Sequence, residues 1–230
     1  GQLQSHLHRA HPQPFSMVIS SPSLTVAPGV FLWREWLSPD AQKALLANLY
    51  ARLKAAPLSR PAMPGSGKPF SVEQSNLGPL GWVSDKTGYR YQPAHPVTAK
   101  PWPDMPPALR TLWDVLAPQF LPKPSPPSCC LVNFYRAGAR MGLHQDRDEA
   151  DTSQPVIAIS LGDEALFRIG GAVRKGPTRS VALASGDVIA FGGAARLAFH
   201  GIDRVRPGTS TLVPGGGRFS LTIRHVAPPG

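Results

Sequence analysis

Cysteine is almost missing from this chain: there are two in 230 residues, and they are neighbours, Cys129 and Cys130. A vicinal bridge is strained, and within a strand the two side chains would point to opposite faces. A disulfide framework is therefore excluded, and the pair reads as reduced core residues of a cytoplasmic protein. No run approaches the roughly 18 apolar residues that a membrane-spanning helix needs. Nor do residues 1–16 hold the continuous apolar stretch of a secretory signal. Acidic residues are few, 14 against 24 Lys and Arg, for a formal charge of +10. That excess favours a polyanionic partner, most simply nucleic acid. Heptad repeats are lacking, which removes a coiled coil. What the chain does have is 27 Pro and 22 Gly, a composition that favours turns and short strands over a helical bundle. With 42% apolar residues, it is long enough for one large domain or a core with extensions.

Residues 1–29, with Pro and Ser and no apolar period, read as a mobile arm. Phe31 to Trp36 suggests a short strand or entry segment. Ser38-Pro39-Asp40 is a helix start, with a capping hydroxyl, a proline in the first turn and an acid at the positive end of the dipole. Leu45, Leu46, Leu49, Tyr50 and Leu53 then form one apolar face to about Lys54. After a loop over 55–69, Phe70 to Tyr91 reads as hairpins turning at Asn76 to Pro79 and at Lys86 to Gly88. The proline-dense stretch from Pro93 to Pro127 leaves room for one helix, Pro107 to Leu116. From Ser128 onward the pattern is β: Cys129–Tyr135, Val156–Leu161, Ala165–Ile169, Ser180–Leu183, Asp187–Phe191 and Phe219–Val226. Strands of that length separated by Gly, Pro and Asp turns indicate a sandwich or jelly-roll barrel, with the earlier helices packed outside it. The expected class is α+β with a β core.

His144-Gln145-Asp146 places an imidazole and a carboxylate at i and i+2, on one face of an extended segment. Alone, such a pair is commonly a hydrogen-bonded surface pair. A second histidine, His200, would complete two imidazoles and one carboxylate, the facial set that leaves open positions on a non-haem Fe(II). Near the C-terminus, Arg218 to Arg224 alternates strictly. Phe219, Leu221 and Ile223 share one face; Arg218, Ser220, Thr222 and Arg224 share the other. One reading is an outer strand with a solvated basic face. The other is a barrel wall whose two arginines hold a dicarboxylate, which beside iron means 2-oxoglutarate.

At this point the chain resembles a known family, the AlkB-type iron- and 2-oxoglutarate-dependent dioxygenases that repair alkylated nucleic acids, and in particular its bacterial branch. The resemblance runs from about Phe31 to Val226. It is carried by Leu77-Gly78-Pro79-Leu80-Gly81-Trp82, Gly88-Tyr89-Arg90-Tyr91, Lys100-Pro101-Trp102-Pro103, Asn133-Phe134-Tyr135, the run His144 to Glu149, Ser160-Leu161-Gly162, Gly186-Asp187-Val188, Phe199-His200-Gly201 and the Arg218 to Arg224 strand.

The resemblance implies a double-stranded β-helix (jelly-roll) core over 128–230, with helical support and a nucleotide-recognition lid over 30–127, forming one catalytic domain. It implies that His144, Asp146 and His200 bind Fe(II). Asn133, Tyr135, Arg218, Ser220 and Arg224 would bind 2-oxoglutarate. Trp82 would stack on the target base opposite His144, Tyr89 and Tyr91 would contact nucleotide phosphates, Arg174 would be a further backbone contact, and Asp148 would accept from the exocyclic amino group of the base. The implied activity is oxidative demethylation of bases such as 1-methyladenine and 3-methylcytosine in DNA, extending to RNA, by a cytoplasmic monomer that releases succinate, CO2 and formaldehyde. Such lesions are cationic and pair poorly, so flipping them out costs less. The polar residue between the arginines is Ser220, where bacterial repair members often have Asn. Two alternatives stay open: an oxygenase of the same fold acting on tRNA or protein, and a non-catalytic nucleic-acid binder whose His and Asp are structural.

Overall fold

A computed structural model describes residues 21–226. Two antiparallel sheets face each other. The larger contains β1 (Leu24–Ala27), β2 (Val30–Trp33), β3 (Glu73–Leu77), β6 (Cys129–Tyr135), β8 (Val156–Gly162), β11 (Val188–Phe191) and β13 (Arg218–Arg224). Its spatial order is β1-β2-β11-β8-β13-β6-β3. The smaller has the order β10-β9-β12-β7, built from β7 (Met141–His144), β9 (Glu164–Ile169), β10 (Arg179–Leu183) and β12 (His200–Arg206). A separate hairpin pairs β4 (Gly81–Asp85) with β5 (Gly88–Gln92). This is a double-stranded β-helix.

The two helices cover the outer face of the larger sheet. In α1 (Pro39–Ala55) the Ser38 hydroxyl accepts from the Ala41 amide, and Leu45, Leu46 and Leu49 are buried. In α2 (Pro107–Leu116) the buried face is Leu109, Leu112, Trp113 and Leu116. Both pack on one apolar layer with Val132, Ile157, Ile159, Leu221 and Ile223. Removing one such side chain, Leu46→Ala for instance, would cost about 2–5 kcal/mol. A second apolar layer lies between the sheets, where Leu32, Val156, Ile189 and Phe191 meet Phe167, Ile169, Leu183 and Ile202.

β13 is therefore no outer strand. It lies between β8 and β6, every residue of it is buried, and its alternation sorts Phe219, Leu221 and Ile223 to the helices. Both expected helices and the six expected strands are present, with ends shifted by two residues or fewer. Three expectations change. The arm expected over 1–29 does not extend to its end, because Leu24–Ala27 is a strand that turns at Gly29 (φ +79°) and pairs with β2; residues 1–20 lie outside the described residues. The division at residue 128 cuts through the larger sheet, since β1, β2 and β3 complete it. Of the hairpins expected over Phe70 to Tyr91, one is real, β4–β5, while β3 leaves to pair with β6 at the sheet edge.

Two strands had no periodic signal. β7 is four residues long and contains Gly142. β12 carries Asp203, Arg204 and Arg206, and a register shift between Ile202 and Arg204 breaks its alternation. A bulge inserts one residue and moves the rest of the strand to the other face. Cys129 and Cys130 are free thiols, both buried. Among the described residues no helix is long and apolar enough to cross a membrane.

Candidate active site

The mouth between the sheets opens on a cavity of about 500 Å³. Its polar wall is a grid set by ladder register. Asn133, Ser220 and Ser160 lie side by side on β6, β13 and β8, and Tyr135, Arg218 and Gly162 form the next row. The Arg218 guanidinium lies over the Tyr135 ring at 5.3 Å, and its Nη2 donates to the Ser160 hydroxyl at 2.9 Å. Arg218 is 2% exposed, yet its Nε and Nη1 have no hydrogen-bond partner. Burial pulls its pKa down, against the opposing pull of Tyr135. A buried guanidinium edge with unpaired donors is costly, and an anion in the cavity would remove that cost. The Asn133 Oδ1 accepts from Gln74 Nε2 at 2.6 Å, which turns the amide NH2 to the free side.

His144, Asp146 and His200 meet at the other end of the grid. β12 pairs with β7 so that His200 stands opposite His144, and the ring centroids are 4.4 Å apart. Gly201 makes this approach possible, because a Cβ there would lie 2.5 Å from the Met141 carbonyl oxygen. The Nδ1 atoms of His144 and His200 each sit 3.0 Å from a backbone carbonyl, of Gly142 and Ala198. Those contacts hold the proton on Nδ1 and leave both Nε2 lone pairs for a metal. Nε2 of His144 is 3.6 Å from Asp146 Oδ1, and Nε2 of His200 is 3.8 Å from Oδ2. One ligand atom from each of the three residues can be chosen so that all lie within 4.8 Å of one another. This donor set suits a divalent iron. Burial would raise the Asp146 pKa, but Arg224 and the two histidines outweigh it and hold the carboxyl ionised. Burial also lowers His200 to about 4, only partly opposed by Asp146, so that imidazole is neutral and free to ligate at neutral pH.

The second arginine differs from the first. Arg224 lines the same cavity, but its Nη2 donates to Asp146 Oδ2 at 2.9 Å and its Nε lies 3.4 Å from Glu149 Oε1. It braces the carboxylate end, where Arg218 stands open.

At the mouth, Trp82 and Tyr89 stack on each other, centroids 5.4 Å apart and planes 23° from parallel. Phe70 and Met63 also line the opening. Trp82 Nε1 donates to Asp148 Oδ2 at 3.2 Å, so the two residues expected at the base are already joined. Tyr89 is 49% exposed. Tyr91 is placed differently from the surface position that a phosphate contact suggests: its hydroxyl donates to Glu149 Oε1 at 2.6 Å, and burial pushes its pKa up. Arg174 donates from Nη1 to the Leu143 carbonyl and lies over the Phe199 ring at 4.9 Å. Its charge thus sits at the rim beside the strand that carries His144.

The cavity lining brings together all thirteen candidate residues. Sequence reasoning gave no role to four residues that support them: Gln74, Ser160, Glu149 and Arg196. Gln74 emerges only through strand register, and Ser160, visible in the string Ser160-Leu161-Gly162 without a role, gains its place beside Ser220 from the same source. Glu149 was visible in the run from His144 but had no assigned role, and Arg196 carried no signal at all.

Three comparisons bear on this geometry. Residues 29–224 match the family model for the 2OG-Fe(II) oxygenase superfamily. The chain is 58% identical over 204 residues to the alpha-ketoglutarate-dependent dioxygenase AlkB homolog of Caulobacter vibrioides, covering 88% of this chain and 90% of that protein. It is 37% identical to the alpha-ketoglutarate-dependent dioxygenase AlkB of Escherichia coli, over 81% and 86% of the two chains. Among solved structures, OsALKBH1 superposes with a TM-score of 0.73 at 29% identity, covering 88% of this chain and 99% of that one.

Proposed function

The chain belongs to the 2OG-Fe(II) oxygenase superfamily and, within it, to the AlkB family, and from that premise we propose that it demethylates N-alkylated bases, such as 1-methyladenine and 3-methylcytosine, in DNA and also in RNA. It is an Fe(II)- and 2-oxoglutarate-dependent dioxygenase. The proposed substrate rests on one observation: a stacked aromatic pair and an acidic side chain, Trp82, Tyr89 and Asp148, line the same cavity as the His144, Asp146 and His200 cluster. Flat aromatic faces accept any base, and the carboxylate favours one that is cationic. The formal charge of +10 suits a phosphate backbone.

In this reading His144, Asp146 and His200 hold the iron. The bound metal supplies O2 activation, coupling decarboxylation of 2-oxoglutarate to oxidation of the N-linked alkyl carbon, with succinate, CO2 and formaldehyde as products. Arg218 offers Nε and Nη1 to the far carboxylate of the cosubstrate. Asn133, Tyr135 and Ser220 add hydrogen bonds along the grid, and Arg224 meets the second carboxylate at the metal end. Trp82 turns its stacking face to the flipped base, while Asp148 accepts from its exocyclic amino group. Arg174 and Tyr89 provide rim contacts to the strand. The buried apolar wall of Phe167, Ile189 and Phe191 keeps bulk water from the reacting carbon.

The test is anaerobic loading with Fe(II) and 2-oxoglutarate, then oxygen exposure with a single-stranded oligonucleotide carrying 1-methyladenine, read by mass. Loss of one methylene, dependent on both iron and cosubstrate, is the expected result. Succinate formation with no change in a methylated DNA or RNA oligonucleotide would overturn the substrate assignment and direct the search to tRNA or protein.

A further inference from the structure

Asp146 is not held by any ladder. It lies in the irregular segment between β7 and β8, where side chains must fix what strand pairing does not. One residue grips that segment at three points. Arg196, 3% exposed, follows a short 3-10 turn at Gly193–Ala195. Its Nη1 donates to the backbone carbonyl of Asp146 and its Nε to that of Gln154 at 2.7 Å. Its Nη2 lies 3.3 Å from Glu149 Oε2, an ion pair without hydrogen-bond alignment. Burying a guanidinium costs several kcal/mol unless it is paired and hydrogen-bonded, and here every pairing is with the segment that carries the metal carboxylate.

The other oxygen of Glu149 faces the lid hairpin. Oε1 accepts the Tyr91 hydroxyl from β5 and lies near Arg224, which itself donates to the Asp146 carboxylate. A continuous chain of polar contacts therefore runs from the hairpin, through Glu149, to both the backbone and the side chain of Asp146. We propose that Tyr91, Glu149 and Arg196 are a positioning chain that sets the geometry of the metal carboxylate according to how the lid hairpin is seated. In this role none of the three touches substrate. The inference rests on Asp146 being a metal ligand, as read above.

The test is a cobalt(II) titration of the full, metal-free chain without nucleic acid, read by the visible d–d absorption, for wild type, Tyr91→Phe, Arg196→Lys and His200→Ala. Wild-type binding of one cobalt that His200→Ala loses establishes the metal site. Without it the ligand assignment fails, independently of the chain. Given that site, Arg196→Lys weakens cobalt binding by about 10–100-fold, as loss of an outer-shell partner does. Tyr91→Phe weakens it by about threefold or more and alters the band intensity, with a smaller effect because it acts one contact further out. Melting midpoints should stay within about 5 °C of wild type. Should Arg196→Lys not fold, Tyr91→Phe decides alone, since it removes one oxygen and keeps the ring. Cobalt binding and spectrum unchanged in Tyr91→Phe would overturn the proposal; a raised KM for the oligonucleotide with unchanged cobalt binding would return Tyr91 to a substrate contact.

Discussion

The two ends of β13 carry the same side chain in opposite states. Arg218 is buried with two donors unpaired, whereas Arg224 is committed to Asp146 and Glu149. The difference does not come from the strand, which is buried along its whole length. It comes from the neighbours at each end: neutral polar groups of the flanking strands, Tyr135 and Ser160, beside Arg218, and an irregular acidic segment beside Arg224. An unpaired buried cation is a site prepared for a ligand, whereas a paired one also braces the frame around the ligand that it meets.

If that contrast is real, the two arginines fail differently. Arg218→Ala removes a charged hydrogen-bonding partner for the cosubstrate, typically about 1.5–3 kcal/mol. The KM for 2-oxoglutarate should then rise about 10–100-fold, with the melting temperature preserved or raised because an unsatisfied group is gone. Arg224→Ala should lower the melting temperature itself, since it leaves the buried Asp146 carboxylate without its guanidinium partner, a loss of about 3–5 kcal/mol for a broken buried pair. Equal thermal losses for both variants would erase the distinction.

The mouth offers a finer division. Trp82→Ala should raise the KM for a methylated oligonucleotide by about tenfold, as loss of one stacking platform does, while the KM for 2-oxoglutarate stays unchanged. Arg174→Ala, at the rim, should cost the least: about one unit less salt dependence of oligonucleotide binding and a weakening of about threefold at moderate salt. A Trp82 effect on the cosubstrate would mean that mouth and floor are not separate sites.

How far the sequence carried this picture depended on what places each residue. Arg218 and Ser220 share one face of their strand by alternation alone, whereas Asn133 and Tyr135 were pointed to by the family resemblance, and the ladder register sets them beside Ser220 and Arg218. The helices were legible because Ser38 and Pro39 mark one start and Pro107 another, with apolar faces behind them. His200 was found by its chemistry and not by its strand, because β12 mixes charge into its alternation and is bulged. Glu149 and Arg196 lie in irregular backbone, where no period connects position to direction. Their roles depend on contacts across 47 residues of sequence, which only the folded chain displays. Tyr91 shows the same limit: it was recognisable as a lid residue, but the buried partner of its hydroxyl was not.

The most direct measurement is the visible absorption of the wild-type chain loaded anaerobically with Fe(II) and 2-oxoglutarate. Joint binding of metal and keto acid at this cavity predicts a charge-transfer band that appears only with both present. It should vanish in His200→Ala and require far more 2-oxoglutarate in Arg218→Ala. A wild-type chain without the band, or a band indifferent to both substitutions, would contradict the assignment of this cavity.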